Sequence, residues 1–524
     1  MAMAPDRMTM KIVPPPAPKI AASIQRICLI IPPSIFLLDE RVFMTLGILK
    51  VAAMLEQAGF AVEVLDLSGV ANYEEVVAQH LSRSRTTCYG LTATTPQMPA
   101  ASIIQRQIRA LRPEARIILG GPHATLIHAA RRHEATRHLP GRAHRAWRQL
   151  EDMFDVLVIG DGEFAVFHAL GPQPPKLVDG DDPASPLFLS SHQLAHLPFP
   201  ARHLVDVASY RYSIDGVRAL SMIAQLGCPF GCGFCGGRKS PMLRRTRMRE
   251  AGHIVEELLH LHTTYGVTGF MLYDDELNVN PNMLELMRLI AAAQRRLGVE
   301  FRLRGFVKAE LFTDAQAEAM FNAGFRWILV GFESGHERIL TTIHKQASQA
   351  DNTRCMEIAK RHGLKVKALM SIGHPGESPD TVQATQDWLL AVKPDDFDAT
   401  VITTYPGTPY FDEAVETGPG VWTYTSPKNG DRLHSLEVDY RETVEYYKGI
   451  PGHYRAYVYT DHVTGDELVR LRDRLETEVR SRLNIPFNPG ATSIRFEHSM
   501  GQGNIPASIL RVSSGTAVTR AQAG

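Results

Sequence analysis

Residues 228–235 read Cys-Pro-Phe-Gly-Cys-Gly-Phe-Cys, and no other stretch restricts the chain's options as tightly. Three of its six cysteines, Cys228, Cys232 and Cys235, fall there with the spacing C-x3-C-x2-C. Thiolates so spaced on a short loop can wrap one face of an iron–sulfur cluster. Gly231 and Gly233 let the backbone turn tightly and come close to such a cluster. A four-iron cubane held by three thiolates keeps one iron open, and an open metal position takes a ligand. A structural zinc knuckle is the competing reading, but it would need a fourth ligand nearby. The next Cys or His downstream is His253, in a stretch with helical spacing. Cys28, Cys88 and Cys355 stand singly among apolar or helical neighbours, as buried thiols do, and do not form a disulfide pattern. Those thiols and an oxygen-sensitive cluster both point to a reducing cytoplasm.

With 524 residues the chain has room for two or three domains. Its 56 basic and 56 acidic residues balance, so no bulk attraction to nucleic acid or membrane follows. No apolar run reaches the length of a membrane span. Residues 1–22, rich in Met, Pro and Lys, read as a disordered leader. From 23 to 170 short apolar runs alternate with amphipathic stretches, which gives an α/β fold with a doubly wound parallel sheet. Such sheets bind ligands at the carboxyl ends of their strands. Here those ends are small and polar: Thr92-Ala-Thr-Thr95, Gly120-Gly-Pro-His123 and Gly160-Asp-Gly-Glu163. The set suits a large ligand carrying a phosphate and many amides. A dinucleotide is the alternative, but no G-x-G-x-x-G opens the first helix. The arginine-rich stretch 131–148 reads as a solvated helical insertion.

Residues 171–215 read as a linker. From 216 to 415 six strand–helix units follow one another, which suits an open (β/α)6 partial barrel with its site at the carboxyl ends of the strands. Those ends carry Asp274-Asp-Glu276, Arg304, Glu333-Ser334, Gly373-His-Pro-Gly-Glu377 and Tyr405-Pro-Gly-Thr-Pro409. Residues 416–490, with several tyrosines and a charged helix, are expected to form a small α-rich domain that closes the barrel and shapes a substrate pocket. Residues 491–524 read as a mobile tail.

The cysteine motif, with Phe234 before its last cysteine, resembles that of the radical S-adenosylmethionine (SAM) superfamily. The first domain, through Gly120-Gly-Pro-His123 and Gly160-Asp-Gly-Glu163, resembles the cobalamin-binding domain found upstream of many radical SAM barrels. The paired resemblance covers roughly residues 23–415 and is to the cobalamin-dependent radical SAM methyltransferases. It implies a [4Fe–4S] cluster on Cys228, Cys232 and Cys235, with SAM on the fourth iron. It also implies SAM contacts from Phe234, Asp274, Arg304, Glu333 and Ser334, several of which could instead cap helices. Cobalamin contacts are implied for Thr92, Thr94, Gly120, Gly121, His123, Gly160, Gly162 and Glu163. No D-x-H-x-x-G supplies a histidine to cobalt, and by analogy Arg41 passes beneath the corrin; a surface pair with Asp39 or Glu40 is the plainer alternative. Glu276 is a carboxylate that could reach the open iron, or else a peripheral ion-pair partner. The implied activity is methyl transfer from SAM, through methylcobalamin, to a carbon of a small molecule or natural-product intermediate, fed by an external flavodoxin- or ferredoxin-like donor. Polar methylation of an electron-rich aromatic carbon, a radical cyclase and a cobalamin-binding sensor remain as alternatives.

Overall fold

The computed structural model describes residues 20–21, 24–34, 40–138, 141–443 and 455–485. The expected tail and nearly all of the expected leader fall outside them. The first domain runs β1 (Arg26–Ile31), α1 (Leu46–Gln57), β2 (Ala61–Asp66), α2 (Tyr73–Arg83), β3 (Cys88–Thr92), α3 (Met98–Leu111), β4 (Arg116–Gly120), α4 (Pro122–Thr136), α5 (Arg142–Met153), β5 (Val156–Gly160), α6 (Gly162–Ala169) and β6 (Leu177–Gly180). Its sheet has the order β2-β1-β3-β4-β5-β6, parallel throughout. Both faces are covered, so its strands are almost wholly apolar. Ile27, Leu29 and Ile31 enter one core with α1 and α6, while Cys28 and Ile30 enter another with α2 and α3. The winding reverses between β1 and β3, which opens a crevice at their carboxyl ends.

Two features differ from expectation. The linker contributes β6, a strand too short to show periodicity, which pairs with β5 in register Val158 to Val178. The arginine-rich stretch is not a solvated insertion: α5 buries Arg142, Ala143, Trp147 and Leu150. Arg142 reaches a residue 269 positions later, donating to the Phe411 carbonyl at 3.0 Å and lying over the Phe411 ring.

The second domain runs α7 (Ser191–Leu194), β7 (Ser213–Ile214), β8 (Val217–Met222), β9 (Gln225–Leu226), α8 (Pro241–Arg244), β10 (Arg247–Met248), α9 (Ala251–Tyr265), β11 (Gly269–Leu272), α10 (Met283–Leu297), β12 (Arg302–Phe306), α11 (Asp314–Asn322), β13 (Phe325–Glu333), α12 (Glu337–Thr342), α13 (Gln349–Arg361), β14 (Lys365–Ile372), α14 (Pro379–Val392) and β15 (Asp396–Val401). Its curled sheet has the order β15-β14-β13-β12-β11-β8-β7, and only β7 is antiparallel to its neighbour. The sheet stays open between β15 and β7, as a partial barrel does.

After α15 (Pro409–Asp412), the chain forms β16 (Val415–Gly418), β17 (Val421–Thr425), β18 (Arg432–Leu436) and β19 (Val458–Thr460), an antiparallel sheet, and then α16 (Gly465–Leu483). This piece thus adds a four-stranded antiparallel sheet to the expected helix. Val-Trp-Thr-Tyr-Thr in β17 is made of β-branched and aromatic residues, which favour a pleated surface. The charged helix does form, and it lies along edge strand β15. Glu476 accepts from the Ala399 N–H at 3.0 Å and Arg480 pairs with Asp396 at 3.1 Å. A helix in that position covers an otherwise exposed sheet edge.

The two larger domains are joined by buried charge. Asp161 pairs with Arg247. Asp181 pairs with Arg132 at 2.9 Å and accepts from Ser240 Oγ at 2.6 Å and from the Met242 N–H at 2.9 Å. Among the described residues, no helix is long and apolar enough to cross a membrane.

Candidate active site

The cysteine loop follows β9 and is held from four sides. The Cys228 N–H donates to the Leu243 carbonyl at 2.9 Å, the Gly233 N–H to Ile343 at 2.8 Å and the Gly237 N–H to Gly407 at 3.1 Å; Gly233 in turn accepts from the Tyr410 N–H at 3.3 Å. A Cβ on Gly233 would sit 2.8 Å from Tyr410 Cε1, so the glycine is required by close packing. All three thiols are free, and Cys235 is exposed. One His/Cys/Asp/Glu group among the described residues converges within 4.8 Å, as single-ion ligands must, and it is Cys28, Glu63 and His80, elsewhere in the fold. The three loop thiols do not form a second group that converges this closely. Burial pushes the Cys228 thiol up to about 11 and also raises Cys232. Lys345 and Lys308 act the other way on Cys232.

Sequence reasoning missed those two lysines. Lys345 pairs with Glu333 at 3.2 Å, and Lys308 pairs with Glu310 at 2.7 Å while lying 4.2 Å from the Phe230 ring of the cysteine loop. Glu333 also accepts from Ser371 Oγ at 2.7 Å; Ser371 meets His374 Nε2 at 2.8 Å, and His374 Nδ1 meets the Tyr410 hydroxyl at 3.3 Å. Phe234 lies 5.3 Å from the His374 ring, at the end of this chain of contacts. Burial lowers His374 to about 3, so the ring is neutral. Glu333, His344 and Gln346 all have φ between 56° and 66°, a sparsely populated region for such residues. Strain of this kind around Lys345 is a signal that sequence does not carry. Glu276 sits close enough to bear on Cys228 and Cys232. Burial raises it to about 7, opposed by Lys345 and Lys308.

A cavity of about 770 Å³ lies between the strand ends of the first domain and the barrel mouth. Thr92, Thr94, Gly120, Gly121, Gly160, Gly162 and Glu163 line it on one side, and Leu226, Gly236, Met242, Tyr273 and Tyr405 on the other. Its glycines form a cradle. Gly47 has nothing within 4 Å of where a Cβ would be, and a Cβ on Gly121 would meet Thr92 Oγ1 at 2.6 Å. Thr94 closes a short turn with Gln97, whose Nε2 donates to the Pro32 carbonyl at 2.8 Å. The size, the glycine-lined rim and the apolar depth fit a corrinoid.

The remaining expected residues are placed differently. Arg41 neither lines this cavity nor lies on the surface. Its guanidinium is buried, paired with Asp66 at 2.9 Å and donating to the Ser68 carbonyl at 2.7 Å. Glu40, Phe43, Met44 and Thr45 of that segment face the cavity instead. His123 is buried against Thr95 Oγ1 at 3.0 Å and borders a separate cavity of about 210 Å³ beside Arg142 and Tyr440. Burial lowers it to about 3. Asp274 accepts from the Ala224 and Gln225 N–H groups at 2.8 and 2.5 Å, fixing the strand that delivers the cysteine loop. Its other oxygen has no partner among the described residues. Ser334 accepts from the His336 N–H at 3.1 Å and meets Thr385 at 3.2 Å. Arg304 lies inside the barrel, donating to the Tyr212 hydroxyl at 3.0 Å above Trp327.

Comparison with known proteins agrees with this geometry. Residues 222–389 match the radical SAM superfamily and residues 40–138 match the B12 binding domain. An uncharacterized methyltransferase of Pyrococcus horikoshii is 24% identical over 420 residues, 75% of this chain and 83% of that protein. Cytidylyl-2-hydroxyethylphosphonate methyltransferase of Streptomyces wedmorensis is 23% identical over 46% of each chain. Among solved structures, the radical SAM methyltransferase TsrM of Kitasatospora setae, with tryptophan and a SAM analogue bound, superposes with a TM-score of 0.59 at 18% identity over 95% of both chains. The cobalamin-dependent radical enzyme OxsB superposes at 0.54 with 15% identity, over 75% of this chain and 55% of its own. With both domain models matched around one cavity, the chain belongs to the cobalamin-dependent radical SAM enzymes, whose cofactors are a [4Fe–4S] cluster, SAM and cobalamin.

Proposed function

We propose that the chain moves a methyl group from SAM, by way of its corrinoid, to a carbon atom of a small-molecule substrate. The observation that carries this reading is the single cavity running from the glycine rim of the first domain to Gly236, next to Cys235. When bound, the cofactors supply reductive cleavage of SAM and methyl transfer from cobalt. The residues supply position. Cys228, Cys232 and Cys235 hold the cluster. Lys345 and Lys308, facing Glu333 and Glu276, offer both charge signs to an amino-acid zwitterion such as the methionine end of SAM. Phe234 offers an apolar face for the adenine, next to His374. Asp274 and Ser334 fix the backbone around them. Phe43 and Tyr273, in ring contact at 5.0 Å and both lining the cavity, favour a flat, largely apolar substrate at the barrel mouth. An external one-electron donor of the flavodoxin or ferredoxin kind completes the reaction.

The test is anaerobic turnover with methyl-labelled SAM on candidate substrates, reading product label and deoxyadenosine together. Label with deoxyadenosine supports radical methylation; absence of label removes methyl transfer and leaves a cyclase or rearrangement. A second reading, polar methylation, draws on Glu276, a carboxylate beside Cys228 and Cys232 able to compete with SAM for the cluster. It requires label without deoxyadenosine. Arg41, held by Asp66 away from the cavity, lends it no support.

A further inference from the structure

The cavity has a deep arm between the sheet and helices α1 and α6, walled by Ile27, Leu29, Ile118, Val158, Val166 and Leu170. One side chain in that wall is out of place. Lys50, on the second turn of α1, is 8% exposed and lines the cavity. It makes no hydrogen bond among the described residues; the carboxylate acting on it most strongly is Glu163, which makes none either, while Glu257 and Asp161 act in the same sense and Arg249 opposes them. Burial pulls the Lys50 ammonium below its ordinary value, and Glu163 pulls it back. The other carboxylates in the lining are already engaged. Asp161 pairs with Arg247 and accepts from the Leu189 N–H at 2.8 Å, and Glu40 accepts from the Ser34 and Gly69 N–H groups. Lys50 is therefore the one cation facing the cavity among the described residues, and it lacks an acceptor. Once a ligand fills the arm and displaces water, an ammonium there is strongly unfavourable unless the ligand supplies an acceptor.

A corrinoid has two chemically distinct ends. The ring carries neutral amides. The nucleotide end carries the molecule's phosphodiester, a ribose and a flat heteroaromatic base with a ring nitrogen. An apolar arm with a single ammonium matches the second end and not the first. We propose that Lys50, poised by Glu163, recognises the nucleotide end of the corrinoid and makes this chain selective for complete corrinoids over those lacking a nucleotide. The inference rests on reading the cavity as the corrinoid site.

The test titrates oxygen-free, full-length protein with hydroxocobalamin and with cobinamide, which keeps the ring but lacks the nucleotide, following absorbance and retention on filtration. Wild-type protein should prefer hydroxocobalamin. Lys50→Met should weaken hydroxocobalamin binding ~10- to 100-fold, the range for a lost charged hydrogen bond, and leave cobinamide within about threefold. Lys50→Arg should recover part of the loss. Ligand-free Lys50→Met should unfold at or above the wild-type temperature, which excludes a merely structural role; Lys50→Gln serves if Lys50→Met does not accumulate. Unchanged hydroxocobalamin affinity, or a parallel loss for both ligands, would overturn the assignment while leaving the corrinoid site standing. Wild-type protein that bound neither corrinoid would overturn the site itself.

Discussion

Two glycines on the cavity rim answer to different constraints. Gly160 has φ 71°, and a Cβ there would overlap the Gly180 carbonyl carbon across the β5–β6 pair. Gly160→Ala should therefore cost ~2 kcal/mol or more through backbone strain and displaced packing, read as a lower unfolding midpoint together with lost corrinoid absorbance. Gly47 sits in α1 with open space before it. Gly47→Ala should leave the ligand-free protein at least as stable, since Ala gains ~1 kcal/mol over Gly in a helix, while weakening corrinoid binding. Asp274 and Glu276 make a pH prediction. Burial raises both to about 7, above their unfolded values. Each then contributes stability that is fully present below the unfolded pKa and is lost as pH rises through about 7. The unfolding midpoint of cluster-free protein should decrease as pH rises from roughly 4 to 7, and Asp274→Asn should flatten that slope; a midpoint that rose over this window would contradict it.

Among the elements, α16 has the clearest mechanical role, because it packs along β15, the last strand of the curled sheet. Arg480→Ala would leave Asp396 with Lys367 as its remaining cation beside the Phe397 N–H, and would remove a donor from the Phe397 carbonyl. The expected loss is ~3 kcal/mol, the scale for breaking a buried pair, visible as a lower urea midpoint. Most other elements were legible from sequence. β3 was legible because it is an apolar run closed by the small polar residues Thr92-Ala-Thr-Thr95. β6 was not legible, since four residues carry no usable period. The strands after residue 415 were hidden by tyrosines and charges that look helical when counted but alternate when paired. Lys345 and Lys308 escaped notice because lone lysines on loops have no local signature; only the fold brings them to Cys232. Arg41 and His123 were expected at the cofactor from loop position, yet Asp66 and Thr95 turn them away.

At the scale of the molecule, the cysteine loop and the corrinoid cavity are separable in principle. Changing Cys228, Cys232 and Cys235 together to Ala should remove the ~4 irons per chain expected of one cubane and all deoxyadenosine formation, while hydroxocobalamin still binds. Loss of both cofactors together would mean that the loop also supports the first domain. The barrel itself is less independent. Val42 and Phe43, a few residues before α1, pack with Tyr212, Met271 and Leu329 inside the curled sheet, and Phe43 lies against Tyr273 at 5.0 Å. A gene cut within the connector would thus yield two polypeptides, the later one missing a stopper that its own sequence does not encode. Duplication, shuffling or engineered transplantation of that half must carry the short segment along or invent a substitute for it.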